Sequence, residues 1–149
     1  MIKNDIEFLL LRDLQKLREE IEAYQDEALI WQATPGITNS GGNLCLHLIG
    51  NLNTYIGKNL GNSGYIRDRD AEFSLKNISR ERLLNDIDQL KTVIQKTFET
   101  LTDEQLADTY PDKIAGQSVT RLQFLLHLLA HLDYHLGQVN YLRRILSAG

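Results

Sequence analysis

The chain has 149 residues and a single cysteine, Cys45. A lone thiol cannot close an internal disulfide, so a reducing, cytoplasmic setting is expected. Two prolines and three valines leave little to interrupt helices or to build strands. No apolar run approaches the roughly 18 residues that a membrane span needs, because His, Asn and Gly interrupt the longest ones. The opening stretch MIKNDIEFLLLRD meets acids at once, and no secretory leader is expected from it. Positive charge is also scarce. Sixteen Lys and Arg against 20 Asp and Glu give a net charge of −4, which offers no broad footprint for nucleic acid. What remains, 42% hydrophobic and 24% charged, is the profile of a soluble globular protein. The length suits one domain over residues 1–149 with its own core, and no internal repeat or long linker divides it.

Abundant leucine recurs at helical spacing in four long segments. The first runs from about Asn4 to Leu29, with Ile6, Leu10, Leu14, Leu17, Ile21 and Tyr24 on one side and Arg12, Lys16, Glu19, Glu20 and Glu22 on the other. Thr34-Pro35-Gly36 follows as a breaker. A second helix is expected after Ser40, ending by Gly61-Asn62-Ser63-Gly64. The third starts after Ser79 and carries Leu83, Ile87, Leu90, Ile94 and Phe98. The fourth starts near Ser118 and continues through Gly137 to Ile145. Helices of this length, each about 30–40 Å long, bury their apolar faces most simply in an all-α four-helix bundle. The connections Gly64–Ile78 and Ala107–Gln117 are long, so at least one long crossover connection is expected.

Of four histidines, three fall within nine residues: His127, His131 and His135. Spaced four apart, they form one stripe along the fourth helix, among Leu125, Leu126, Leu128, Leu129 and Leu132. Such a helix is apolar almost all round, so the stripe is expected to face the interior or a cleft. Buried imidazoles without partners are costly, and a divalent metal shared by two of them at i and i+4 would satisfy them. A third ligand must come from elsewhere. His47 sits in the second helix within a polar stripe, Asn43, His47 and Asn51, which is expected to face the histidines.

Several metal-site types are excluded. No Glu-x-x-His pair is present, which removes the carboxylate-rich di-iron pattern. Leu132 follows His131, so the His-x-x-x-His pair lacks the general-base Glu of a zinc protease. With one cysteine, thiolate zinc sites are absent. Neutral imidazoles alone leave coordination positions open to water or substrate.

The segment His131-Leu132-Asp133-Tyr134-His135-Leu136-Gly137-Gln138 resembles the fourth-helix signature of the DinB/YfiT-like superfamily. Residues Trp31, Pro35 and Asn43-Leu44-Cys45-Leu46-His47-Leu48-Ile49-Gly50-Asn51-Leu52 resemble its second helix, and Arg67-Asp68-Arg69-Asp70-Ala71-Glu72-Phe73 resembles a loop of one uncharacterised subgroup. The resemblance spans essentially the whole chain. It implies a DinB-like four-helix bundle with a divalent metal, often zinc or nickel, on His47, His131 and His135, and a homodimer. Relatives include metal-dependent transferases and isomerases that use low-molecular-weight thiols, so a small-molecule substrate and a thiol cosubstrate are implied. One departure is Tyr134, where the family often has another histidine.

A cation on neutral imidazoles keeps its full charge and lowers the pKa of a bound water or thiol, favouring the anion as nucleophile. The leading expectation is therefore a metal-dependent S-transferase. The competing expectation is a non-catalytic dimeric bundle in which the metal is structural or absent. His127 is a candidate fourth ligand or substrate residue. Asn51, Asp133 and Gln138 are candidates to orient the ligands. Trp31 is a candidate pocket wall, with core packing as the alternative. Cys45, about 200° round the helix from His47, points away and reads as a buried, inert thiol. The run Arg67-Asp68-Arg69-Asp70 reads as a solvated loop with internal salt bridges, or as a lid or dimer contact.

Overall fold

Hydroxyl side chains close the amino ends of three helices. Ser40 Oγ accepts from the Asn43 amide at 3.1 Å and Ser79 Oγ from the Arg82 amide at 3.1 Å. Thr120 and Gln123 form a reciprocal capping box, at 2.9 and 3.1 Å. These caps start α2 (Gly41–Leu52), α4 (Arg80–Thr100) and α5 (Arg121–Ser147) in a computed structural model that describes residues 1–148. Residue 149, the last of the expected domain, lies outside the described residues.

The first helix, α1 (Ile2–Ala23), stops earlier than its apolar pattern suggests. Tyr24 turns extended and drops into the core, and Asp26 accepts from the Ala28 amide to start a separate 3₁₀ turn over Glu27–Trp31. Ala28, seven residues after Ile21, keeps the spacing of α1, which is why the sequence pattern runs on. The second helix keeps its expected course but changes register, because α2 passes directly into a π-helical stretch, Asn53–Lys58. Thr54 Oγ1 donates to Gly50 O at 2.8 Å and Asn53 Nδ2 to Ile49 O at 3.0 Å, so side chains satisfy carbonyls where the ladder widens.

The long helices form one core. Leu10, Leu14, Leu17 and Ile21 of α1 meet Leu48 and Leu52 of α2, Leu83 to Phe98 of α4, and Leu125, Leu128 and Leu132 of α5. A buried leucine of this kind contributes about 1.5–3 kcal/mol. α1 packs between α4 and α5, and α2 packs against the same two helices. Consecutive α1 and α2 therefore sit diagonally, linked by residues 24–40. The long segment after α2 joins two neighbours instead, and spends its length on a short helix, α3 (Arg69–Ser74), packed on α2. α5 is not buried all round: Leu126 and His127 are exposed, while Phe124, Leu125, Leu128, Leu132 and Val139 form the inner stripe. Its first turn starts at Arg121, because the capping box falls on Thr120 and not Ser118. No helix among the described residues is long and apolar enough to cross a membrane.

Candidate metal centre

The packing of α2 against α5 brings three imidazoles together. His131 Nε2 lies 3.2 Å from His47 Nε2 and 3.1 Å from His135 Nε2, and one nitrogen from each ring lies within 4.8 Å of the others. His131 and His135 meet because four residues are one turn of α5. His47 is buried, and the other two are half-buried.

The distal nitrogens fix the tautomers. His47 Nδ1 faces the Glu72 carboxylate at 3.1 Å, an acceptor only, so the proton sits on Nδ1 and Nε2 carries a lone pair. His135 Nδ1 faces Gln138 Oε1 at 2.7 Å, with the same consequence. Two bare lone pairs thus converge on His131, whose single Nε2 proton could serve only one. A cation accepts all three. A tetrahedral site with 2.0–2.1 Å bonds sets neighbouring donors about 3.4 Å apart, close to the spacings seen. These three residues can hold a metal ion. Burial and the neighbouring rings push the His131 imidazole down to about 4, and burial also lowers His47, so these two rings favour the neutral, ligand-ready form.

Glu72 was not singled out by the sequence. It is 6% exposed and comes from α3, whose first turn is capped by Asp68 Oδ1 accepting from the Ala71 amide at 3.1 Å. Arg67 grips the same carboxylate with two bonds of 2.8 and 2.9 Å. The charge run is solvated at Asp68, Arg69 and Asp70, but its ion pair is not internal and it is not all loop: Arg67 pairs with Glu72, and Asp68 starts a helix. A Cβ at Gly50 would lie 1.9 Å from Glu72 Oε2, so a glycine is required where the carboxylate crosses α2. Asn43, fully buried, anchors the same segment by donating to Glu72 O at 3.0 Å and Leu75 O at 2.9 Å. Phe73 covers His47 at a centroid distance of 4.9 Å. The available signal was an Asp N-cap followed by a carboxylate five residues after an arginine.

The remaining candidates separate. Gln138 holds the His135 ring. Asn51 is buried beside His47, one turn on, and its Oδ1 has no hydrogen-bond partner among the described residues; His131 Nδ1 is likewise without one. His127 is exposed, lies outside the three-ring cluster and meets Phe124 at 5.8 Å. Asp133 turns to Asp13 of α1, and burial and that carboxylate raise its own pKa. Trp31 packs on Gly42 and donates from Nε1 to Ile78 O at 3.1 Å, tying the α3–α4 link to α2. Cys45 is fully buried, and burial pushes its thiol up.

Residues 6–149 match the model of a family described as a protein of unknown function, DUF1572. The fold is similar to that of a DinB-like protein from Bacillus cereus, with a TM-score of 0.69 at 16% identity, covering 91% of this chain and 86% of that one. No curated protein matches the chain. The DinB-like helical fold implied by the fourth-helix residues is thus the fold of this protein.

Proposed function

The chain belongs to the DUF1572 family, of unknown function, and from that premise we propose a metal-dependent transferase that activates a low-molecular-weight thiol for transfer to a small-molecule substrate. The carrying observation is the convergence of three imidazole nitrogens, two of them with their protons fixed on the far side of the ring. In this reading His47, His131 and His135 hold a divalent cation, zinc or nickel. When bound, the cation supplies positive charge that lowers the pKa of a thiol or water beside it. The chain's own residues do the rest. Glu72 and Gln138 keep the His47 and His135 rings in the ligating tautomer, and Phe73 shields His47 from water. The thiol comes from outside, since Cys45 is buried and held as the neutral thiol. The protein acts as a cytoplasmic homodimer.

One observation favours a second reading, a non-catalytic bundle with a structural metal. Glu72 is engaged by both Arg67 and His47, so it is not free as a general base. Metal analysis followed by a thiol-conjugation screen, with and without chelator, separates the two. Chelator-sensitive turnover that His131→Ala abolishes supports the transferase. A protein that keeps its metal yet conjugates nothing across a broad panel of thiols and electrophiles supports the scaffold, and full metal occupancy in His131→Ala removes the ligand assignment.

A further inference from the structure

A groove of about 600 Å³ opens between residues 36–39 and the carboxyl-terminal half of α5. Leu44 and Leu142, both buried, line it from the core side. Ile37, Tyr134, Tyr141 and Ile145 line it too, yet each remains between 51% and 67% exposed. Large apolar side chains left so open around one concavity are apolar surface without a partner. The groove also reaches the metal centre, because His135 and its hydrogen-bond partner Gln138 belong to its lining. No Lys, Arg, Asp or Glu lines it among the described residues.

We propose that this groove binds a neutral, apolar small molecule bearing an aryl or alkyl body, with its reacting end at His135 and the metal centre. The inference rests on the metal-centre reading and names the substrate class of that site. Size fits, since small-molecule sites run about 300–1,000 Å³ and are mostly apolar with a few polar groups that orient the ligand. Thr38, Asn39 and Gln138 supply such groups. Charge decides the class. Away from the metal end, and apart from exposed Arg144 at 5.6 Å from the Tyr141 ring centroid, the lining offers an ionised body no counter-charge, whereas an apolar body gains by covering the tyrosine rings and isoleucines. Cellular low-molecular-weight thiols carry ionised groups, so the groove takes the co-substrate and not the thiol. The concavity, with a ligand-orienting glutamine in its wall, suits a small molecule better than a second copy of the chain.

The zinc-loaded full chain, titrated with N-phenyl-1-naphthylamine, tests this with a neutral aryl probe that brightens on leaving water. Saturable binding at one probe per chain is expected. Ile37→Asp and Ile145→Asp, at exposed positions where the fold tolerates charge, should each weaken it about tenfold or more. Phe8→Asp puts the same charge on an exposed apolar residue of α1 outside the groove and should leave binding unchanged. The anionic analogue 1-anilinonaphthalene-8-sulfonate should bind more weakly than the neutral probe. Absence of saturable binding, or equal loss in all three variants, overturns the proposal. So does a wild-type dimer that excludes the probe and becomes a monomer in Ile37→Asp, since a second copy would then fill the groove. Zinc content reads the metal centre separately. A chain that takes up neither zinc nor nickel fails that reading and the groove assignment with it, while one that holds the metal but not the probe fails the groove alone.

Discussion

Glu72 carries a charge in a nearly closed environment, and three groups share its two oxygens: Arg67 Nε, Arg67 Nη2 and His47 Nδ1. Such a carboxylate fixes ring orientation and raises the basicity of the opposite nitrogen. Glu72→Gln keeps the shape and removes the charge. It should lower zinc affinity about 10- to 100-fold, measured by competition with a chromophoric chelator, while circular dichroism stays helical. Undiminished affinity would remove the positioning role. A second residue-scale test lies away from the site. Tyr24 is buried with its hydroxyl unpartnered among the described residues, and burial pushes that phenol up to about 12. A folded-state pKa above the ordinary value of 10 means stability is fully present below pH 10 and is lost as pH rises toward 12. Tyr24→Phe should therefore be neutral or stabilising by about 1 kcal/mol at pH 7 and should flatten the alkaline fall in melting temperature. A variant that melts well below the wild type at pH 7 would show that the hydroxyl has a partner.

At the scale of elements, the site is where α3 crosses α2, and Gly50 is the crossing point. Alanine is the better helix former by about 1 kcal/mol, so on propensity alone Gly50→Ala should stabilise α2. Packing predicts the opposite for the site: the new methyl takes the place of Glu72 Oε2, which Arg67 Nε holds while Arg67 Nη2 and His47 hold Oε1. Gly50→Ala should weaken zinc binding about tenfold or more, as judged by the same chelator competition, with the bundle still folded. Equal affinity would mean that Glu72 can swing aside freely. This crossing also marks where sequence reading stops. The pair His131 and His135 was legible because a helix puts residues four apart on one face whatever surrounds it. The polar stripe on α2 was legible for the same reason, although Asn43 turned out to anchor α3 and not to face the rings. Glu72 was not legible, because its role depends on a short helix in a connection folding back over a glycine. No local period encodes that approach. The break after Ala23 escaped as well, since Ala28 continues the helical spacing while the chain itself turns.

At the scale of the molecule, the three candidate ligands join α2 to α5, helices that also share the hydrophobic core. The fold is therefore expected to persist without the cation, unlike small domains that are unfolded when metal-free. A ligand that binds only the folded chain still adds stability by mass action, about 2.7 kcal/mol at a free concentration one hundred times the dissociation constant. For a chain of this size that corresponds to a rise in melting temperature of about 5–10 °C. Zinc added to the wild type should produce this rise and excess chelator should reverse it, with helical circular dichroism retained at 25 °C throughout. His131→Ala should remain folded and show no zinc-dependent shift, because His47 and His135 on separate helices then offer only two imidazoles. A chelated wild type that loses its helical signal would make the metal part of the fold. An equal zinc shift in His131→Ala would place the bound ion on other residues, and the three-ring centre would lose its claim to it.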